Sequence, residues 1–374
     1  MELFDLFNKS NFNQTSVEVS QSAINHNIEY YKNKIGSANK LAAVIKGNGY
    51  GHGLQEMGYL CEKNNAVSLL CTANLSEALL LRSRNISKSI LVLGYADCNP
   101  MYAIKKNIAF MIDTLEYANM LNEIAKEHSY QFKVHIKVDT GLSRLGIFPH
   151  EALSFIKQIQ KYPYLTIDGI YSHFVAATSD SELTEKQLNT FIKTIENILN
   201  ENITINNIHM SNSGSLEYIS YPSFFNMFRV GLGLYGLGEP KNMLAPALTW
   251  KTHIVSIKIV PTGSYISYAK AYKAARPTRV AILPIGYQDG YEFRFSNKTS
   301  IHVNGQLAPM LGRVAMNMIM VDVTDCNAQI NDEVLICGPH NGVSADDLAN
   351  TANMDNIREI LTKINPSIPR VIVP

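Results

Sequence analysis

The chain has 374 residues, 46% of them hydrophobic and 17% charged, and a net charge of +1. That is ample apolar material for a core, and so small a net charge gives no electrostatic footprint for nucleic acid or an anionic membrane. Five cysteines, at positions 61, 71, 98, 326 and 337, are odd in number and lack CxxC spacing, which argues against a disulfide framework and fits reduced thiols.

No run of about 18 apolar residues occurs, so no membrane span is expected. The N-terminal stretch MELFDLFNKSNFNQT brings acidic residues early and has no sustained apolar core, which argues against a signal peptide. The expectation is a cytoplasmic chain. Its length suits one barrel plus a smaller unit.

Taken in order, residues 22–35 place Ile24, Ile28, Tyr31 and Ile35 on one helical face, and Gly36 stops the helix. The apolar run Leu41–Ile45 then reads as a buried strand. Lys46 closes it, and glycines follow at 47, 49, 51 and 53. Their spacing is neither a phosphate-cradling P-loop nor a GxGxxG dinucleotide turn. A lysine at the C-terminal edge of a buried strand sits where parallel α/β folds place their chemistry; a surface lysine ahead of a flexible loop is the plainer alternative.

Further strand-like runs follow at 67–71, 90–93, 108–112, 134–138, 169–172, 208–210 and 226–230, making eight. The segments between them are long enough for crossover helices. One shows a capping-box pattern, Thr184 with Gln187, ahead of Leu188, Phe191, Ile192, Ile195 and Leu199. Eight such units in about 200 residues predict an α/β (β/α)8 TIM barrel.

After Leu234-Tyr235-Gly236 the texture changes to short runs divided by turn signals: 253–260, 280–283, 301–303 followed by Asn304-Gly305, 318–323, and 334–337. Asn-Gly between apolar runs predicts a hairpin. The division expected is a barrel over 14–246 and a C-terminal all-β domain over 247–374, with residues 1–13 a candidate addition to the second.

Within VHIKVD (134–139), period-2 alternation puts His135, Lys137 and Asp139 on one face and three aliphatics on the other. Helices cover a barrel outside, so the polar face should point inward. An inward lysine is costly unless neutralised; an internal salt bridge with Asp139 and a functional role both remain open. His173, then Ser211, Asn212 and Ser213, then Arg229 end strands six, seven and eight on the rim that carries Lys46.

The segment KGNGYGHG (46–53) resembles the cofactor-lysine signature of bacterial alanine racemases, usually KANAYGHG, and further matches run along nearly the whole chain. The resemblance implies that Lys46 holds pyridoxal 5′-phosphate as a Schiff base, with Tyr50 beside the cofactor. HIKVDTGLSRLG (135–146) is similar to the family's barrel segment, which implies that Arg144 reaches the substrate carboxylate and that Lys137 is a candidate for carbamylation. By the same likeness His173 supports the cofactor site, and the segment of Asn212 and Ser213 gives the phosphate a hydroxyl. Arg229 meets the pyridine nitrogen, and the amides of Gly231 and Leu232 bind phosphate.

An arginine at the ring nitrogen has a consequence of its own. Guanidinium only donates, so it disfavours a protonated ring and suppresses side reactions in favour of reprotonation at Cα. Racemisation needs a base on each face of Cα. Lys46 serves one, and the resemblance puts the second on Tyr268, supplied in the family by the partner subunit of a homodimer. A strand tyrosine is otherwise structural, and a hydroxyl with an ordinary pKa near 10 needs stabilisation to act as a base. GYQDG (286–290) and GRVAMN (312–317) resemble substrate-side segments, which implicates Tyr287, Met316 and Asn317.

Three departures stand out. Glycines replace the usual alanines at 47 and 49. Asn317 stands where the family carries aspartate, as in serine-acting members. Arg358 occupies the place of a phosphate-touching tyrosine, where it could bind phosphate or face solvent. The function implied is racemisation of L-alanine to D-alanine for peptidoglycan, with a serine or broader racemase as the alternative. A non-catalytic pyridoxal-phosphate-binding barrel would lack the second domain. A decarboxylase of this architecture would need an acid at the ring nitrogen. No metal site is expected.

Overall fold

The computed structural model describes residues 15–374; residues 1–13, the candidate addition to the C-terminal domain, lie outside the described residues. Two compact units emerge. One comprises residues 23–49 and 57–245, and the other the described residues up to Ser22, residues 50–56 and residues 246–374. Strand β1 (Ser16–Ser20) belongs to the second.

The first unit holds eight parallel strands: β2 (Lys40–Val44), β3 (Val67–Thr72), β4 (Ser89–Val92), β5 (Ile108–Ile112), β6 (Phe132–Lys137), β7 (Leu165–Tyr171), β8 (Asn207–His209) and β9 (Met227–Val230). Their order, β8-β7-β6-β5-β4-β3-β2-β9, follows the chain except that β9 returns to pair with β2. This is a TIM-like barrel, as the eight apolar runs predict. The remaining seam, between β8 and β9, is closed largely by side chains. The amide oxygen of Asn226 accepts from Ile208 N–H at 3.1 Å. The Ser211 hydroxyl accepts from Arg229 N–H at 2.9 Å.

The covering helices carry their own punctuation. Helix Gln21–Ile35 buries Ile24, Ile28, Tyr31 and Ile35, each worth about 1.5–3 kcal/mol on leaving water. Thr114 caps helix Leu115–Glu127. The helix expected to start at Thr184 begins at Ser181, with Asp180 as its cap, accepting from Leu183 N–H. Thr184 instead lies one turn inside, its hydroxyl donating back to Asp180 O at 2.6 Å. Gln187 is buried there, its amide oxygen accepting from Val175 N–H.

In the second unit, β10 (Leu248–His253), β11 (Ser256–Val260), β12 (Tyr265–Ile266), β13 (Tyr272–Lys273), β14 (Thr278–Leu283), β15 (Ser300–Val303), β16 (Gln306–Leu311), β17 (Ile319–Asp322), β18 (Glu333–Cys337) and β19 (Arg370–Val373) follow in chain order. Nine of the described strands form one sheet, β11-β14-β17-β16-β15-β18-β10-β1-β19, and β12 pairs with β13. The single run expected at 253–260 is two strands, because the chain breaks pairing at Ile254 and Val255. The Asn304-Gly305 hairpin joins β15 to β16 with φ of 45° and 83°, as its sequence predicts. The unit is mostly strand and not all strand. Short helices Ala345–Thr351 and Ile357–Thr362 interrupt it.

Candidate active site

Lys46 follows β2 at the barrel's C-terminal rim, half-buried. Gly47, Asn48 and Gly49 have φ of 64°, 53° and 60°, and Tyr50 has 52°, a left-handed turn that L side chains resist. The glycines at 47 and 49 relieve half of that strain. Glu77, on helix Leu75–Ser83, holds the start of the turn. One carboxylate oxygen accepts from Gly47 N–H at 2.7 Å and from Asn48 N–H at 3.4 Å, and the other from Ala73 N–H at 2.8 Å. Burial, then the charge of Arg144, lowers the Lys46 amine below its ordinary range, with Glu77 opposing.

Arg229 is buried on β9, and among the described residues no carboxylate lies beside its guanidinium. It donates to Nδ1 of His209, to the carbonyls of Ser172 at 2.7 Å and Met210 at 3.2 Å, and to Nδ1 of His173 at 3.4 Å. Its cation lies 5.0 Å from the centre of the Tyr171 ring, a favourable face for a desolvated charge. Tyr171 in turn stacks flat on His209 at 4.8 Å. Burial, then Arg229, holds both His173 and His209 well below the usual histidine range, so both are neutral at pH 7.

Lys137 is buried, as the alternation in β6 predicts. The salt bridge to Asp139 left open above does not form. The Asp139 carboxylate instead accepts from the N–H groups of Gly141, Leu142 and Ser143 at 2.8–3.1 Å. Among the described residues no carboxylate lies within ion-pair distance of Lys137. Burial, then Arg144 and Arg229, lowers its amine to about 8. Arg144 is exposed and makes no hydrogen bond or ion pair among the described residues.

The Ser213 hydroxyl accepts from Gly231 N–H at 3.1 Å and Gly233 N–H at 3.0 Å. Two amides and a hydroxyl thus converge where the 3₁₀ turn Leu232–Tyr235 begins, an arrangement suited to an anion. A side chain at 233 would strike the Tyr31 hydroxyl. Asn212 is spent on its own loop, exchanging hydrogen bonds with Ser215. An amine with reduced proton affinity, an anion cradle and a donor-only cation fit a phosphorylated aldehyde with an aromatic nitrogen.

The second unit carries the other sequence candidates. Tyr268 is 70% exposed and lies on a 3₁₀ turn, Tyr268–Lys270, between β12 and β13, not in a strand. Ser267, Ala269 and Lys270 around it have positive φ. Tyr287 and Met316 are exposed. Asn317 is exposed and donates to the Gln288 amide oxygen at 2.6 Å. Arg358 is exposed, its Nε donating to Asn356 at 2.7 Å, the solvent-facing alternative in this chain. The backbone oxygen of Tyr50 lies 3.3 Å from Nδ1 of His52.

Sequence reasoning missed Glu77 and Tyr171. For Glu77 a signal existed, since Asn74 is a capping residue and Glu77 stands three residues later, in the first turn of the helix. Among the described residues no His, Cys, Asp and Glu cluster could hold a metal, and no helix is long and apolar enough to cross a membrane.

Comparison with known proteins gives one consistent result. Residues 19–239 match the family model for the alanine racemase N-terminal domain, and residues 247–372 that for the alanine racemase C-terminal domain. Alanine racemase 2 of Caldanaerobacter subterraneus subsp. tengcongensis is 33% identical over 370 residues, covering 96% of this chain and 95% of its own. The alanine racemase of Clostridium novyi is 34% identical over 369 residues, covering 95% and 94%. Among solved structures, alanine racemase of Clostridium difficile 630 superposes with a TM-score of 0.90 at 32% identity, covering 96% of each chain. That of Bacillus anthracis with bound L-Ala-P gives 0.88 at 29% identity, covering 98% of this chain and 96% of its own.

Proposed function

The chain belongs to the alanine racemase family, pyridoxal-phosphate-dependent isomerases, and from that premise we propose that it interconverts L- and D-alanine with Lys46 and Tyr268 as opposed bases. When bound, the cofactor supplies an aldehyde that condenses with amines and a ring that withdraws charge from Cα. The observation that carries the reading is Arg229, a buried cation held, among the described residues, only by neutral acceptors. It has a donor to offer a ring nitrogen and nothing that could protonate it.

Lowered proton affinity equips Lys46 to be joined to the aldehyde and, once freed by substrate, to exchange a proton at Cα. Ser213 with the amides of Gly231 and Leu232 would hold the phosphate, Tyr50 and Asn212 lining that side, and Arg358 is a weaker candidate beside them. Arg144, exposed and unpaired, would take the substrate carboxylate bidentately. Because Nδ1 of His173 accepts from Arg229, its proton sits on Nε2, leaving a donor for the Tyr268 oxygen. Tyr268 would come from a second copy of the chain, making the enzyme a homodimer with shared sites, and Tyr287, Met316 and Asn317 would line the substrate side.

Lys137 is proposed to carry a carbamate. Its amine is neutral enough near pH 8 to add carbon dioxide, and the resulting anion would hold Arg144. A carbonyl resonance from ¹³C-bicarbonate that appears in the wild type and vanishes in Lys137→Ala would support this; its absence from both would refute it. The Asn317–Gln288 pair favours one second reading, a racemase that also accepts serine. The proposed setting is the cytoplasm, with D-alanine directed to peptidoglycan. Racemisation of L-alanine and L-serine, with the visible absorbance of the cofactor-loaded protein, tests the whole. Lys46→Ala should abolish both the absorbance and the turnover, and a colourless, inactive wild type would overturn the reading.

A further inference from the structure

A line of polar side chains crosses the barrel interior below Arg229, and the established chemistry of the family does not call on its far end. Nε2 of His209 lies 3.0 Å from Nδ1 of His135. Nε2 of His135 lies 3.5 Å from a carboxylate oxygen of Asp168. All three side chains hang from different strands, β8, β6 and β7, and both histidines are fully buried. Asp168 is the middle residue of β7 and lies beside Asn206 and Asn207, at the start of β8. There its carboxylate also accepts from the side-chain amides of Asn206 at 3.2 Å and Asn207 at 3.1 Å. Lys40 reaches the oxygen of Asn207 at 2.6 Å.

The direction of every proton in this line follows from one fact. A guanidinium has five N–H groups and no acceptor, so Nδ1 of His209, which meets Arg229, must be the bare nitrogen. A neutral imidazole has one N–H, so the His209 proton is on Nε2 and is donated to Nδ1 of His135. That nitrogen is then bare in turn, and the His135 proton sits on its Nε2, facing Asp168. We propose that Arg229, His209, His135 and Asp168 form a one-way chain of donation ending on a carboxylate, and that Asp168 is a positioning residue for Arg229 across the barrel.

Chemistry supports the assignment at each link. Asp168 is held down at about 2, first by its contact with His135, so it is an anion wherever the enzyme works. Burial keeps both histidines from taking a second proton. Other charged or titratable groups facing the line are Lys40, Lys133, Tyr171 and His173; none offers a second anion. With the carboxylate at its end, the chain polarises both imidazoles in one sense. The bare nitrogen facing Arg229 becomes a stronger acceptor, which fixes the guanidinium in orientation and keeps it charged. The inference rests on the reading of Arg229 as the partner of the cofactor's ring nitrogen.

The first test needs no cofactor. In ¹⁵N-labelled, cofactor-free protein near neutral pH, ring correlations should show His135 and His209 both protonated on Nε2 alone. A proton on Nδ1 of either, or on both nitrogens, would overturn the chain. The second uses the loaded enzyme with Asp168→Asn, which keeps shape and removes charge. The expected result is kcat lower by about tenfold, the order of one weakened hydrogen bond to a charged group. KM should stay within about twofold, loss of cofactor to transamination per turnover should rise, and Asp168→Glu should recover part of kcat. Unchanged kcat and unchanged transamination in Asp168→Asn would overturn the positioning role, as would a fall in melting temperature with no change in that partition. A wild type that racemises alanine but shows the wrong ring protons fails this inference alone. A wild type with the predicted ring protons that binds no pyridoxal phosphate fails the reading of Arg229.

Discussion

Asn317 donates its side-chain amide to the Gln288 oxygen at 2.6 Å, so that amide is already engaged by a neighbour. A carboxylate at 317 could keep the contact only if the Gln288 amide turned its nitrogen inward, and it would add a charge. Asn317→Asp should therefore shift the ratio of kcat/KM for alanine over serine by about two- to tenfold, the net worth of one hydrogen bond. In Gln288→Ala the same substitution should act differently, because its partner is gone. Steady-state kinetics on the four proteins of this double-mutant cycle read the coupling; additive effects would sever the pair from specificity.

Ser211 offers a stability test inside the barrel. Its hydroxyl accepts from the buried N–H of Arg229 and donates to the carbonyl of the same residue at 3.5 Å, standing in for a backbone ladder between β8 and β9. Alanine there leaves a buried N–H without a partner, a loss of about 1–3 kcal/mol. Urea denaturation of Ser211→Ala should show that loss with an unchanged slope, since the surface exposed on unfolding is the same. Wild-type stability in the variant would mean that the seam closes through other contacts.

These residues also mark where the sequence was legible. Most barrel strands announce themselves by a short apolar run, because burial on both faces selects for it, and β6 does so by alternation with its polar face inward; Lys46, His173 and Arg229 could be placed on one rim from strand order alone. The line from Arg229 to Asp168 could not. His135, Asp168 and His209 come from three strands whose side chains meet only when the barrel curls, and period-2 alternation says inward without saying which neighbour. The Thr184 pattern misled for a local reason. Asp180 has the same capping chemistry four residues earlier, and the hydroxyl of Thr184 bonds back inside the helix. Tyr268 read as a strand residue because the positive φ values beside it fall on serine, alanine and lysine, types that do not advertise a turn.

Gly47 bears on why the loop after Lys46 is rich in glycine. Its φ is 64°, and a Cβ there would meet nothing within 4 Å. Gly47→Ala therefore adds no clash, and its cost is the left-handed backbone alone, about 1–2 kcal/mol. Thermal or urea unfolding should show that loss while alanine turnover stays within severalfold of wild type, since the methyl points into open space. A neutral or stabilising effect would mean that the turn relaxes to an ordinary conformation without glycine, and that its left-handed path is not required for folding.

Lys137 gives a pH dependence with a definite sign. Burial first, then the charges of Arg144 and Arg229, lowers its amine from 10.5 to about 8. Below pH 8 it is protonated folded and unfolded alike, and the fold bears the full penalty of a buried cation. Between 8 and 10.5 the unfolded chain binds more protons than the folded one, so this group makes stability rise with pH. Above 10.5 both states are neutral and the penalty is gone. Lys137→Met has no such proton to lose. The stability of wild type minus that of the variant should therefore be flat below pH 8 and climb towards 10.5. Urea denaturation of cofactor-free protein, with carbon dioxide excluded so that no carbamate forms, measures it across the window. Cys61 and Cys71, pushed up to about 12 by burial, pull stability the other way at high pH, but they are common to both proteins and drop out of the difference. A flat difference throughout would mean that Lys137 keeps its proton in the fold, and the route to a carbamate near neutral pH would close with it.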